Sequence, residues 1–339
     1  MAHAIAVNTL LIAPAWVGDM VMAHTLVQRL AHIGCNIDVL APPASAPLAT
    51  RMAEVRDVHI VNFAHGEFGL AKRRRLGREL REREYAQAFV LPNSWKSALL
   101  PFFAKIPRRT GWLGEARYGL LNDHRKLDKS QYPLMIERFM ALADANGELP
   151  AKPYTNPRLR ADPSNAERLR AALQVDAGER GQEQIVALAP GAEFGPAKKW
   201  PHYAELARAL RAQGKAVWLF GSPKDAPDCQ SIAHQVAGVV NLAGKTSLLD
   251  ALDLLSLADH VVCNDSGLMH IACALDIPTT GIFGSTSPQF TPPLGERAQT
   301  VQLSLECQPC FQRTCPLGHL NCLNQLAAEQ VLSRIDSRT

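Results

Sequence analysis

A chain of 339 residues, 47% hydrophobic and 20% charged, is long enough for two α/β domains with their own cores and too apolar for wholesale disorder. A net charge of +4 argues only weakly for an acidic partner, and the basic residues are not interleaved with aromatic ones, so no nucleic-acid partner is expected. The opening residues lack a basic n-region and no apolar stretch approaches the roughly 20 residues that span a bilayer, so a cytoplasmic protein is expected.

Residues 9–13 read as the first strand. It runs into Pro14-Ala15-Trp16-Val17-Gly18-Asp19, after which Met20, Val21, Leu26, Val27 and Leu30 carry a helical apolar pattern. Gly18 permits a tight turn, and Asp19 falls at the helix start. Asp19 is either an ordinary first-turn acid, worth about 1 kcal/mol, or a general base for an acceptor hydroxyl. There is no G-x-G-x-x-G here, so a dehydrogenase loses its main support. Further strands are expected at 36–40, 58–62 and 88–91. Between the last two, Lys72, Arg73, Arg74, Arg75, Arg78, Arg81 and Arg83 crowd together, relieved by Glu79, Glu82 and Glu84. The i,i+4 pairs Arg75/Glu79 and Arg78/Glu82 fit a solvated helix face; the alternative is a platform for a phosphorylated or membrane-bound acceptor.

A polar, proline-containing passage over 151–183, with a helix expected at 165–173, separates two halves, giving domains 1–165 and 166–339. Strands resume at 185–189, 216–220, 239–242, 260–263 and 279–283. This alternation predicts parallel sheets in two Rossmann-like domains facing one cleft. Ligands of such sheets sit beyond the carboxyl ends of the strands, so the turns there matter most. In the turn after 185–189, Gly191 shapes a long loop with Lys198 and Lys199. These lysines are either solvated or aimed at a diphosphate beside the helix that Pro201 opens. Asp225 follows 216–220 and either receives ribose hydroxyls or serves the turn. The richest turn is Asn264-Asp265-Ser266-Gly267-Leu268-Met269-His270. A small polar run with glycine at a helix N-terminus offers amide groups to a phosphate. Ser266 adds a hydroxyl. Asp265 would repel a diphosphate directly, so it orients the loop or meets a sugar hydroxyl. His270 is either structural or a ligand contact.

Eight cysteines in a cytoplasmic chain are expected to be mostly reduced. Four are clustered near the end as Cys307-x2-Cys310-x4-Cys315-x6-Cys322, with His319 inside. A structural metal, disulfides and unligated thiols all fit this pattern, whose spacing is tighter than the usual paired CxxC.

The stretches WVGDMVMAHTL, APGAEFGPAKKWPHYAELA, NDSGLMHIACAL and TSPQFTPPL together resemble the ADP-heptose:lipopolysaccharide heptosyltransferases of glycosyltransferase family 9. LPNSWKSALLPFFAKIPRRTGWLGEARYGLLND is nearer to subtype II than to subtype I. The resemblance runs to about Leu294, and the cysteine segment beyond it is not expected to be catalytic. It implies an α/β GT-B fold and an inverting transfer with no cofactor for catalysis. The implied partners are ADP-L-glycero-D-manno-heptose and a heptosyl-Kdo2-lipid A acceptor, met in peripheral contact with the inner membrane. By the same resemblance Asp19 is the base and Lys198 stabilises the departing diphosphate. Gly191, Asp225, Asp265, Ser266, Gly267 and His270 line the donor, and Thr246 falls where the backbone meets adenine. Arg73, Arg74, Lys96, Arg117 and Arg138 are the candidates for the acceptor's phosphates and carboxylates. A subtype I enzyme, a GT-B sugar-nucleotide epimerase and a non-catalytic nucleotide- or metal-binding protein are the alternatives.

Overall fold

The computed structural model describes residues 6–63, 66–175 and 183–336. The chain forms two compact units, Met1–Pro157 and Arg158–Thr339. The division falls ahead of the 165/166 boundary expected from sequence, which lies inside the helix Pro163–Ala172. That helix belongs to the second unit for a local reason. Asp162 caps it through Ser164 N and Asn165 N, while Asn165 Nδ2 donates to Asp250 Oδ1 at 3.1 Å and Asp253 Oδ2 at 2.8 Å. Part of the expected linker, residues 176–182, lies outside the described residues.

In the first unit the strands are β1 (Val7–Ile12), β2 (Cys35–Ala41), β3 (Val55–Ile60), β4 (Gln87–Val90), β5 (Arg108–Trp112) and β6 (Asp123–Arg125). They form one sheet in the order β3-β2-β1-β4-β5-β6, with every pairing parallel. The second unit repeats the plan with β7 (Ile185–Ala189), β8 (Ala216–Leu219), β9 (Val239–Asn241), β10 (His260–Asn264), β11 (Thr279–Ile282) and β12 (Ala298–Val301). Their order is β12-β11-β10-β7-β8-β9, again all parallel. Both sheets have the doubly wound order, which reverses direction at β1/β4 and at β7/β10.

Central strands of a parallel sheet are covered on both faces, so they read as unbroken apolar runs. Every residue of β7 and of β10 is buried. The helix Tyr203–Ala212 turns Tyr203, Leu206, Ala207 and Leu210 onto this sheet, a one-sided apolar stripe. Strands β5, β6 and β12 add to those expected from the sequence. Two of them, β5 and its edge neighbour β6, carry charge that they pair with each other: Asp123 on β6 accepts from Arg108 and Arg125 at 3.0 Å and from Thr110 Oγ1 at 2.9 Å. Burial by itself raises the pKa of its carboxyl; these hydrogen bonds outweigh it and hold the group at about 2.

Candidate functional site

The loops that leave β7 and β10 meet at the reversal point of the second sheet, where open α/β sheets take their ligands. Asn264, the buried last residue of β10, ties the two loops together. Its Nδ2 donates to Pro190 O at 2.7 Å, and its Oδ1 accepts from Trp200 N and from Tyr203 Oη, each at 3.2 Å. The turn Pro196–Lys198 is thereby held against the start of the Asp265 turn. Lys198 Nζ donates to Asp265 Oδ2 at 2.6 Å and stands 4.9 Å over the Phe194 ring. Thr286 Oγ1, from the loop after β11, donates to that same Asp265 oxygen at 2.6 Å. Both Asp265 and Thr286 are buried.

The neighbouring groups have polar atoms left over. Ser266 is the N-cap of the helix Gly267–Ala274, yet its hydroxyl makes no cap bond. Ser266 Oγ and His270 Nδ1 are buried without a hydrogen-bond partner. A buried polar atom left unpaired is costly, so such atoms mark strain or a place where a ligand bonds. Burial lowers the His270 pKa to about 4; Asp265 pulls it up and Lys198 pushes it further down. The ring is neutral at physiological pH. The site is therefore a lysine, an acid and a set of small polar groups at a helix start, suited to a phosphate and to hydroxyls.

Asp225 and Gly191 also meet. Asp225 Oδ2 accepts from Ser222 N at 3.0 Å and Ser222 Oγ at 2.6 Å. A Cβ placed on Gly191 would lie 2.4 Å from Asp225 Cγ, so only glycine permits the approach. Gly244 N donates to Gly221 O at 3.0 Å, which sets the half-buried Thr246 loop beside the Asp225 loop. Lys199 does not join Lys198: it pairs with Asp228 at 2.7 Å, and that hydrogen bond raises its pKa.

In the first unit Asp19 is half-buried in the first turn of the helix Val17–His32, on the loop that leaves β1. Lys96 sits in the first turn of the helix Trp95–Phe103, on the loop after β4. Both loops thus lie at the reversal point of their own sheet. Arg74 is exposed on the helix Leu70–Glu79, whereas the half-buried Arg138 spends its Nε on Tyr132 O at 2.9 Å.

Two expectations are corrected. Arg117 is fully buried, with Nη1 donating to Pro92 O at 2.6 Å and Nη2 to Trp112 O and Asn93 Oδ1. Arg73 is buried too, donating to Phe68 O at 2.8 Å and Lys96 O at 3.1 Å and stacking on Phe63 at 3.7 Å. These guanidiniums brace the loop that carries Lys96 and are not offered to an acceptor. Burial is visible in their pKa values, which desolvation lowers. Sequence reasoning missed Thr286 and Asn264. The TSPQFTPPL stretch held the first without pointing to its partner, 21 residues back.

The chain is similar to known proteins over most of its length. The family model of glycosyltransferase family 9 (heptosyltransferase) matches residues 73–321. Lipooligosaccharide heptosyltransferase 2 of Haemophilus influenzae is 47% identical over 308 residues, covering 87% of this chain and 88% of that one. Lipopolysaccharide heptosyltransferase 2 of Salmonella typhimurium is 43% identical over 338 residues, 97% of each chain. The structure of Escherichia coli ADP-heptose lipopolysaccharide heptosyltransferase II superposes with a TM-score of 0.85 at 40% identity, covering 97% of this chain and 98% of that one. The α/β architecture expected from the sequence is the GT-B fold of these structures.

Proposed function

Because the chain belongs to glycosyltransferase family 9, the heptosyltransferases, we propose that it moves L-glycero-D-manno-heptose from ADP-heptose to the first heptose of heptosyl-Kdo2-lipid A. This is a step in building the inner core of lipopolysaccharide. The relatives of closely similar length bear the subtype 2 name, which favours this acceptor over that of subtype I. Family membership also disfavours the epimerase and the non-catalytic reading.

The observation that carries the donor half is the Lys198–Asp265–Thr286 set beside the unpaired Ser266 Oγ and His270 Nδ1. When the donor binds, its diphosphate takes up the helix-start amides around Gly267, and Lys198 supplies the opposing cation. Asp265, steadied by Thr286, receives hydroxyls of the transferred sugar. Asp225, with Gly191 beneath it, meets the ribose, and Thr246 lies at the adenine.

On the acceptor, Asp19 takes the proton of the attacking hydroxyl. That oxygen bonds to the anomeric carbon on the face opposite the ADP, the bond from that carbon to the diphosphate oxygen breaks, and the electron pair leaves with ADP. The configuration inverts. Lys198 meets the charge that grows on the leaving group, so the step as written uses only side chains and backbone and calls for no cofactor. Arg74, Lys96 and Arg138 remain as candidates for the acceptor's anionic groups.

Among the described residues no helix is long and apolar enough to cross a membrane. Peripheral contact with the cytoplasmic face of the inner membrane is our reading for a lipid-anchored acceptor. It is supported by the exposed Phe68, Leu70 and Trp95 beside the exposed Arg74 and Arg75. Phe68 and Trp95 stack at 5.3 Å, forming one apolar patch next to the basic helix. Transfer assays with acceptors bearing zero, one or two heptoses test the proposal; use of the one-heptose acceptor supports it, and exclusive use of the zero-heptose acceptor overturns the subtype.

A further inference from the structure

The cysteine segment folds around a small, partly open cavity. Cys307, Cys310, Cys315 and Cys322 all line it, together with Ser285 and Gln308, and its volume of about 20 Å³ has room for one water-sized occupant. Ser285 Oγ and Gln308 Oε1 are buried there without a hydrogen-bond partner, and Ser285 is 1% exposed. All eight cysteines of the chain are thiols. A small cavity lined by four cysteines, with two unpaired oxygens buried in residues of its wall, has the composition of a site that takes an occupant.

The chemistry of the lining selects the occupant. His319 also faces the cavity, but its Nδ1 accepts from Asn321 N at 3.0 Å. In a neutral imidazole the proton then sits on Nε2, so neither nitrogen has a lone pair to offer. Four sulfurs remain, the number a tetrahedral thiophilic cation takes. Among the described residues, Asp38, Asp57 and His59 are the group whose ligand atoms already lie within 4.8 Å of one another, and no three thiols are drawn that close. The acidic group is nonetheless the poorer site. Asp38 Oδ1 and Oδ2 are held by Arg56 at 2.8 Å, and Tyr85 Oη adds a bond of 2.6 Å to Oδ2. The thiols have no such counter-charge, and Cys307, Cys310 and Cys315 are half-buried on loop backbone outside helices and strands.

The segment is also wired to the donor turn. Ala197 N donates to Arg313 O at 3.1 Å, Ser285 N to Ala197 O at 3.2 Å, and Phe311 N to Ser285 O at 2.7 Å. Gln308 Nε2 donates to Gly284 O at 2.7 Å. A Cβ on Gly195, whose φ is +147°, would lie 2.5 Å from Arg313 O. The cysteine loop therefore braces the Pro196–Lys198 turn and the residue before Thr286, the two sources of contacts to Asp265.

We infer that Cys307, Cys310, Cys315 and Cys322 bind one thiophilic divalent cation such as Zn2+, which closes the segment into a clamp on the backbone turns that carry Lys198 and Thr286. Binding takes four thiols to thiolates, releases their four protons to solvent, and makes four metal–sulfur bonds with no change of oxidation state. The cation takes no part in sugar transfer. The positioning role rests on the donor site proposed above; the metal site does not.

The test uses the full chain, purified reduced and free of metal, and titrated with Co2+. One equivalent should bind with a thiolate-to-cobalt charge-transfer band that Zn2+ abolishes. Cys310→Ser and Cys315→Ser should lose the band, and His319→Ala should keep it. Absence of a band in the reduced chain, a band that survives both cysteine substitutions, or a native disulfide among the four would each overturn the site. Hydrogen exchange reads the clamp separately from activity. The amides of Ala197 and Ser285 should exchange on the order of tenfold more slowly with Zn2+ bound, because local opening is suppressed; equal rates would overturn the clamp while leaving the metal site standing.

Discussion

Thr286 Oγ1 and Lys198 Nζ converge on one oxygen of Asp265, each at 2.6 Å. On the proposed donor site the lysine swings to the diphosphate, whereas the threonine, on a buried and shorter side chain, stays with the acid. In that proposal Thr286 is a positioning residue that keeps Asp265 aimed when Lys198 leaves it. Thr286→Val should lower kcat/KM for ADP-heptose roughly ten- to a hundredfold, the loss of about 1.5–3 kcal/mol for a hydrogen bond to a buried charge. Thr286→Ser should restore most of it. Steady-state kinetics in both substrates checks this, since the acceptor KM should hardly move.

The two adjacent lysines should separate cleanly. Lys198→Ala should cost about a hundred- to a thousandfold in kcat, the scale seen when one preorganised group facing developing charge is removed. Lys199, paired on the surface with Asp228, should change kcat by less than about threefold as Lys199→Ala, because such exposed pairs contribute little. Comparable losses in the two variants would contradict the assignment.

Arg117 and Arg74 should behave in opposite ways. Arg117→Met takes the guanidinium donors from Trp112 O, Asn93 Oδ1 and Pro92 O, the last of which keeps Ser97 Oγ, and should destabilise the protein by about 2–4 kcal/mol. Arg74→Ala, on an exposed helix face, should fall within about 0.5 kcal/mol of the parent. Denaturant unfolding followed by a probe in the first unit measures both.

Much of the fold is legible in the sequence because its central strands are covered on both faces. Residues such as those of β7 and β10 announce themselves as short apolar runs ending in polar turns. The outer strands β5, β6 and β12 stay hidden: their stability comes from ladder hydrogen bonds and, on β6, from charge pairs set by the neighbouring strand. The turns proposed for the donor are legible for the same reason as the sheet, since each follows a readable strand. The sequence leaves open that Lys198 rests on Asp265, 67 residues away, and that Arg73 and Arg117 point inward. Charge is visible in a sequence, but burial of a long side chain against backbone carbonyls is a property of the packed loop.

His270 should leave a mark on stability. Its folded pKa of about 4 lies below the ordinary value of 6.5. The unfolded chain therefore binds this proton first as pH falls. The stabilisation is present in full above pH 6.5 and is lost progressively toward pH 4, reaching roughly 3 kcal/mol at 1.36 kcal/mol per unit. His270→Gln should remove that part of the pH slope. Parallel Tm-against-pH curves for parent and variant would contradict it.

The central claim is a transfer with Asp19 as base, and one assay bears on it most directly. ADP-heptose is offered with purified acceptors bearing zero, one or two heptoses, to the parent protein and to Asp19→Ala. The account predicts turnover on the one-heptose acceptor by the parent, inversion at the anomeric carbon of the product, and a loss of about a hundred- to ten-thousandfold in Asp19→Ala. Full activity in Asp19→Ala, or turnover by the parent on the zero-heptose acceptor alone, would contradict it.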